Sequence, residues 1–138
     1  MSVIYLLDTN TLSYIAKGKS QAARARLASL RAGENVCISS ITEAEVRYGL
    51  AKRPQAHRLH AAVEALLFKL QILPWGSEEA VAYGKLRARL EAAGTILSEL
   101  DLQIAAHAIA AGAVLVTNDN ALRRIKELNG TVNWAADV

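Results

Sequence analysis

The chain has 138 residues, 52% hydrophobic and 21% charged, a composition that suits a globular core and excludes a disordered or fibrous protein. Its 16 Lys and Arg outnumber 13 Asp and Glu, for a net charge of +3, compatible with a nucleic-acid partner without demanding one. The lone Cys37 excludes an intramolecular disulfide and a multi-thiolate zinc site, and the longest apolar run, AIAAGAVLV, falls far short of the roughly 18 residues of a membrane span.

Met1-Ser2 leads into the first strand without the basic segment of a signal peptide, so a cytoplasmic location is expected. Val3-Ile4-Tyr5-Leu6-Leu7 is continuously apolar and reads as a strand buried on both faces. It stops at Asp8-Thr9-Asn10-Thr11, and a short helix is expected from Thr11. A second helix is expected in QAARARLASLRAG, closed by Gly33 as C-cap. NVCIS gives a strand, and SSITEAEVRYGLAKR a helix that Pro54 interrupts. AHRLHAAVEALLFKL has helical spacing, LQILPW reads as a strand, and SEEAVAYGKLRARLEAAG as another helix. SELDLQIAAHAIAAG is a helix ending at Gly112, AVLVT a second buried strand, NDNALRRIKEL a last helix, and TVNW a terminal edge strand. Strands alternating with helices imply a parallel sheet with right-handed crossovers. The expected fold is α/β, one three-layer α/β/α domain over residues 1–138, with four to five short strands and about seven helices.

Both strongly apolar strands end in acidic turns, Asp8 and Asn118-Asp119-Asn120. If the strands are neighbours, Asp8 and Asp119 meet at the carboxyl edge of the sheet, where open α/β sheets bind their ligands. Each also has an ordinary explanation as a helix N-cap. In SSITEAEVRYGL, Ser40 and Glu43 fit a capping box and Glu43 fits a pair with Arg47. Glu45, four residues after Ile41 and three before Tyr48, is expected on the inward face, where a carboxylate is costly unless paired or bound to a cation. Asp101, flanked by Leu100 and Leu102 in a nearly all-apolar helix, is either a capping partner of Ser98 or a site residue, with Glu99 the more solvent-facing acid. Like charges at one edge repel by about 1 kcal/mol per pair at 4 Å even in water. A divalent cation removes that cost, and oxygen-only ligands favour Mg²⁺ or Mn²⁺ over zinc. The chemistry such a centre does best is hydrolysis of a phosphodiester. Asp8, Glu45, Asp101 and Asp119 are therefore expected to converge on one cation-sized space.

In the motifs that carry these acids, the chain resembles the PIN-domain ribonucleases and, among them, the VapC toxins of the VapBC toxin–antitoxin pairs. LLDTNTLSYI resembles the family's first motif, ISSITEAEVRYG its second, LSELDLQIAAHAIAAG its third and VLVTNDNALRRI its fourth; LNGTVNW, with Trp134, resembles its usual ending. In the second motif the acid just before the aliphatic-x-Tyr-Gly is the functional one, which maps to Glu45. Glu43 is an extra acid where the family often has an apolar residue, and the fourth motif varies, which makes Asp119 the least secure of the four. The resemblance implies a Mg²⁺-dependent endoribonuclease directed at single-stranded regions of RNA such as tRNA. It also implies inhibition by a VapB-type antitoxin, a homodimer, a larger complex with the antitoxin, and DNA contact only through that antitoxin.

Thr9 and Ser39 are candidates to hydrogen-bond the acids, Asn10 and Asn118 to donate to phosphate or water, and Arg123 with Arg124 to hold RNA phosphates. For Thr9 and Ser39 the alternative is ordinary turn and cap duty, for the arginines a solvated helix face. His107 lies on an apolar helix face and is expected to be a hydrogen-bonded core or interface residue; His57 and His60 are expected in solvent. The apolar face of AAVEALLFKL belongs either to the core or under a second subunit or the antitoxin's amphipathic segment. Two rival functions stay open: a phosphotransferase using Asp8 as nucleophile, against which Asn10 stands where a second acid is needed, and a PIN-like binding module acting within an antitoxin–DNA repressor complex without turnover.

Overall fold

The computed structural model describes residues 2–138. Five parallel strands form one sheet: β1 (Val3–Leu7), β2 (Glu34–Ser39), β3 (Gln71–Leu73), β4 (Val114–Val116) and β5 (Thr131–Val132), in the order β3-β2-β1-β4-β5. Seven helices connect them: α1 (Thr9–Lys17), α2 (Gln21–Ala28), α3 (Ser40–Ala51), α4 (His57–Lys69), α5 (Ser77–Ala92), α6 (Glu99–Ala111) and α7 (Asn120–Arg123).

The strands sort their side chains by the two-residue period of the pleat. Leu7, Val36, Ile38 and Val116 face one way and pack against α1 to α4, with Trp134 and Ala135 closing that layer. Leu6, Cys37 and Leu115 face the other way, against α5, α6 and the segment around α7. The carboxyl halves of β1 and β4, Leu6-Leu7 and Leu115-Val116, are buried on both faces and are apolar without alternation; the start of β1 departs from the expected burial, with Val3 and Tyr5 half-buried and Ile4 exposed. The expected three-layer α/β/α architecture is what the chain adopts.

Three local expectations are corrected. Helix α2 stops at Ala28 with Ser29 as its C-cap, not at Gly33; Gly33 instead takes φ +86° in the turn entering β2, a left-handed conformation that glycine adopts without penalty. Helix α3 is capped by Ser39, whose hydroxyl accepts from the Ile41 amide, and the Ser40 hydroxyl accepts from the Trp75 amide instead of forming a box with Glu43. Helix α7 spans four residues, not eleven. Beyond it Ile125 N–H reaches Leu122 and Leu128 N–H reaches Ile125 by three-residue steps. Leu122, Ile125 and Leu128 all bury, and that three-residue spacing suits successive tight turns better than the 3.6-residue α-helix.

The strand order places the site. Proceeding outward from β1, the chain builds β2 and β3 on one side and β4 and β5 on the other. The crevice beyond the carboxyl ends of β1 and β4 is thus the point where the winding reverses, the position at which such sheets bind ligands.

Candidate active site

Asp8 and Asp119 reach this crevice because their strands are neighbours in register. Leu7 pairs with Val116, and the Asp8 amide donates to the Val116 carbonyl at 3.0 Å. Asp8 then caps α1, its Oδ1 accepting from the Thr11 amide at 2.7 Å, and it is only 4% exposed. Burial pushes the Asp8 carboxyl above its ordinary value; hydrogen bonding from Thr117 and Thr11 works the other way, and the charge of Asp119 adds to the rise. Asp119 caps α7, its Oδ1 taking the Ala121 amide at 2.8 Å and the Leu122 amide at 3.3 Å.

Asp101 arrives from the third motif. Ser98 caps α6, its hydroxyl accepting from the Asp101 amide at 3.1 Å, so the first turn of the helix is tied down where it carries the acid. Asp101 is half-buried, and its carboxyl is raised by burial, opposed by Ser98, and raised further by the charges of Asp119 and Asp8. Three carboxylates from three separate motifs therefore lie within electrostatic reach of one another. Among the described residues none of the three has an arginine, lysine or histidine as salt-bridge partner.

Glu45 behaves differently. The core side of α3 is the stripe Thr42, Val46 and Leu50, four residues apart; Glu45 lies one position off it and is exposed. The sequence expectation took Ile41 and Tyr48 as markers of the inward face, yet Tyr48 is 59% exposed. Glu45 stands with Thr9 and Ser13 at the end of a cavity between α1, α3 and α4. Glu43 pairs with Arg47 at 2.9 Å, as its spacing predicts. The expected cage of four acids is not preassembled. Among the described residues no three Asp, Glu, His or Cys side chains are disposed to hold an ion between them. Like-charged groups without a counter-ion separate, and the Asp8 and Asp119 oxygens are turned to their helix amides.

The neighbouring polar residues also divide. Thr9 Oγ1 lies 3.2 Å from Thr42 Oγ1. Ser39, a candidate to hold the acids, is instead engaged by the Ile41 amide and by His107 Nδ1 at 2.7 Å. His107 is buried, edge-on to Trp75, with burial pushing its imidazole below the ordinary value; it is the hydrogen-bonded core residue its apolar surroundings predict. Asn10 is exposed, Asn118 half-buried, and Arg123 and Arg124 lie in solvent on the α7 turn. Sequence reasoning overlooked Thr117 and Thr11. Both are fully buried, both act on Asp8, and the Thr117 hydroxyl also accepts the Asp119 amide at 3.0 Å. The available signal was a hydroxyl at the end of a buried strand, where only a polar partner justifies it.

The donor set fits a hard divalent cation. It is made of carboxylate oxygens carrying excess negative charge in a half-buried crevice. The soft or imidazole alternatives are engaged elsewhere: Cys37 Sγ donates to the Tyr5 carbonyl with its thiol pushed up to about 11, and His107 holds Ser39.

Comparison with known proteins agrees with this fold. The PIN domain family model matches residues 5–128. The chain is 37% identical over 131 residues to ribonuclease VapC2 of Haemophilus influenzae, covering 94% of this chain and 97% of that one. It is 36% identical over 126 residues to the tRNA(fMet)-specific endonuclease VapC of Salmonella typhimurium, covering 91% and 92%. Among solved structures, VapBC2 of Rickettsia felis bound to a promoter DNA fragment superposes with a TM-score of 0.88 at 34% identity, over 96% of this chain and 99% of that one. PIN-domain nucleases generally depend on a divalent metal. Fold and relatives thus coincide, and the chain belongs to the PIN-domain nuclease family, among the VapC ribonucleases.

Proposed function

We propose that this protein is the toxin of a VapBC-type pair, a Mg²⁺-dependent endoribonuclease that hydrolyses single-stranded regions of RNA, with tRNA as its substrate class. Mn²⁺ substitutes for Mg²⁺, and a cognate VapB antitoxin inhibits it. In this reading it is a single-domain cytoplasmic protein that forms a homodimer and a larger complex with the antitoxin, and meets DNA only through it. The observation that carries the reading is the group Asp8, Asp101 and Asp119, three mutually repelling carboxylates with no cationic side chain paired to them among the described residues.

Asp8, Asp101 and Asp119 would hold the ion, with Glu45 joining from the rim. When bound, a divalent ion lowers the pKa of a coordinated water and polarises a phosphoryl oxygen. The chain's own residues do the rest. The Thr11 amide and Thr117 fix the rotamer of Asp8, and Ser98 fixes the first turn that carries Asp101. Asn10 and Asn118, beside Asp8 and Asp119, supply neutral donors for a phosphate that further acids at those two positions would repel. Asn10 also distinguishes this reading from phosphoryl transfer to Asp8, which needs an acid there.

The test is cleavage of a mixed tRNA pool by antitoxin-free protein, with Mg²⁺, with EDTA, and with the Asp8→Asn, Glu45→Gln and Glu43→Gln variants. Cuts that require metal and Asp8 support the nuclease. Glu45→Gln is expected to lose about 10- to 100-fold in rate, the scale of a disturbed metal centre, while Glu43→Gln stays near the parent. The reverse ranking would move the site to Glu43, and absence of cuts despite metal binding would leave the binding-module reading.

A further inference from the structure

Acidic residues are spread unevenly along this chain. Residues 9–33 and 46–63 contain no Asp or Glu, yet they hold nine of its 16 Lys and Arg. Some of these cations already have partners: Arg26 pairs with Glu34, Arg47 with Glu43 and Glu64, and Arg24 Nε donates to the Ile15 carbonyl. Arg31 precedes β2, at the edge of the sheet opposite the acids. The other five, Lys17, Lys19, Lys52, Arg53 and Arg58, are exposed, and among the described residues none has a carboxylate partner.

These five gather in one place. The cavity between α1, α3 and α4 has a volume of about 260 Å³, with Thr9 and Glu45 at one end and Lys17, Lys52 and Arg53 at the other. A wider trough of about 1000 Å³, bordered by Lys17, Lys19, Arg53 and Arg58, continues from it. The two share Ala16, Lys17, Arg53 and Leu59, so they form one channel running beside α1. Asp8 caps the start of that helix and Lys17 ends it, a separation of about 13 Å at the α-helical rise.

We propose that this channel is the track for the RNA phosphate backbone, holding the strand on the side of the cleavage site that lies along α1. The identity of the polyanion rests on the nuclease reading; the cationic track itself does not. Phosphates approaching three uncompensated carboxylates are repelled, and a row of cations without carboxylate partners a helix-length away, Lys52 resting over the Tyr48 ring, offsets that cost. Among the described residues no Phe, Tyr or Trp lines either part of the channel and His57 is its one aromatic ring, so it offers no row of rings on which successive bases could stack. The contacts are to the backbone, and binding through them is indifferent to base sequence.

The test compares two triple variants of equal charge change. Lys19→Gln, Arg53→Gln and Arg58→Gln together strip the track; Lys69→Gln, Lys85→Gln and Lys126→Gln together remove exposed charges outside it. Matching melting temperatures establish that both are folded. The probe is a short single-stranded RNA of mixed sequence, bound in EDTA so that it is not cut, with affinity measured against salt concentration. Loss of three phosphate contacts lowers the steepness of log K against log salt by about 2, at about 0.7 per single-strand contact. The control variant keeps the parental slope. Equal slopes for the two variants overturn the track, as does a track variant that binds RNA normally but no longer binds an acidic antitoxin-type peptide. A parent protein that shows the track's slope but never cuts with Mg²⁺ upholds the track and sinks the nuclease reading. Cutting with unchanged slopes does the opposite.

Discussion

Asp8 has one oxygen committed to the Thr11 amide, is almost out of water, and faces the charge of Asp119. Its carboxylate is held where ionisation is disfavoured, so the apoprotein is less stable with Asp8 charged than with a neutral isostere there. Asp8→Asn keeps the capping oxygen and removes the charge. In EDTA at neutral pH we expect its Tm to rise by about 3 °C, while cleavage falls by more than about 100-fold. Differential scanning calorimetry checks the first; a lowered Tm would make Asp8 a structural cap and nothing more. At this scale sequence legibility was uneven. Asp8 and Asp119 were readable from strand ends and Glu43 from its i, i+4 spacing. The exposure of Glu45 was not, because a three-residue offset to Tyr48 says nothing once Tyr48 itself faces solvent.

Helix α6 shows how an element delivers a charge. Its body, from Leu102 to Ala108, is buried almost throughout, and Gly112 closes it in the left-handed conformation at φ +63°. Only its first turn can carry acids, and Ser98 fixes that turn. Ser98→Ala removes the cap and is expected to cost about 1 kcal/mol, seen as a Tm lower by a few degrees. The same variant should weaken Mg²⁺-dependent activity by about 10-fold or more, whereas Ser29→Ala, at the C-cap of α2, should leave activity alone. Element types were legible from the sequence because period and punctuation agreed for most segments. The exceptions, α2 and α7, are short. There the tight turns around Ile125 and the early stop at Ser29 were decided by tertiary burial and capping that local pattern does not encode.

Across the whole molecule the chemistry and the fold's electrostatic anchor sit at opposite edges of the sheet. At the amino-terminal edge Glu34 accepts two bonds from Arg26, at 3.2 and 2.6 Å, and one from Tyr5, while Arg26 lies over the rings of Tyr5 and Trp134. Arg26 and the Arg31 amide hold the Glu34 carboxyl down from 4.5 to about 2. A depressed acid contributes stability that is fully present above its unfolded value and lost as pH falls through its folded one. The window is therefore between pH 4.5 and about 2. Glu34→Gln should lower Tm at neutral pH, and its Tm should converge with that of the parent as pH descends through that window. Parallel curves would show that the cluster contributes by packing alone. The sheet order that separates the two edges was not legible: the sequence implied parallel strands, but the adjacency of β1 and β4 depends on which way the chain winds after β3.

The bond from the Asp8 amide to the Val116 carbonyl makes the first acid of the site also a rung of the central ladder. In hydrogen exchange, rungs of this kind open only with the most stable cooperative unit. The Asp8 amide should accordingly exchange among the slowest in the protein, while the amides of Lys52 and Arg53, at the far end of the channel, exchange early. A substrate strand would then enter over the part of the molecule that opens most readily and be cut at the part that opens least.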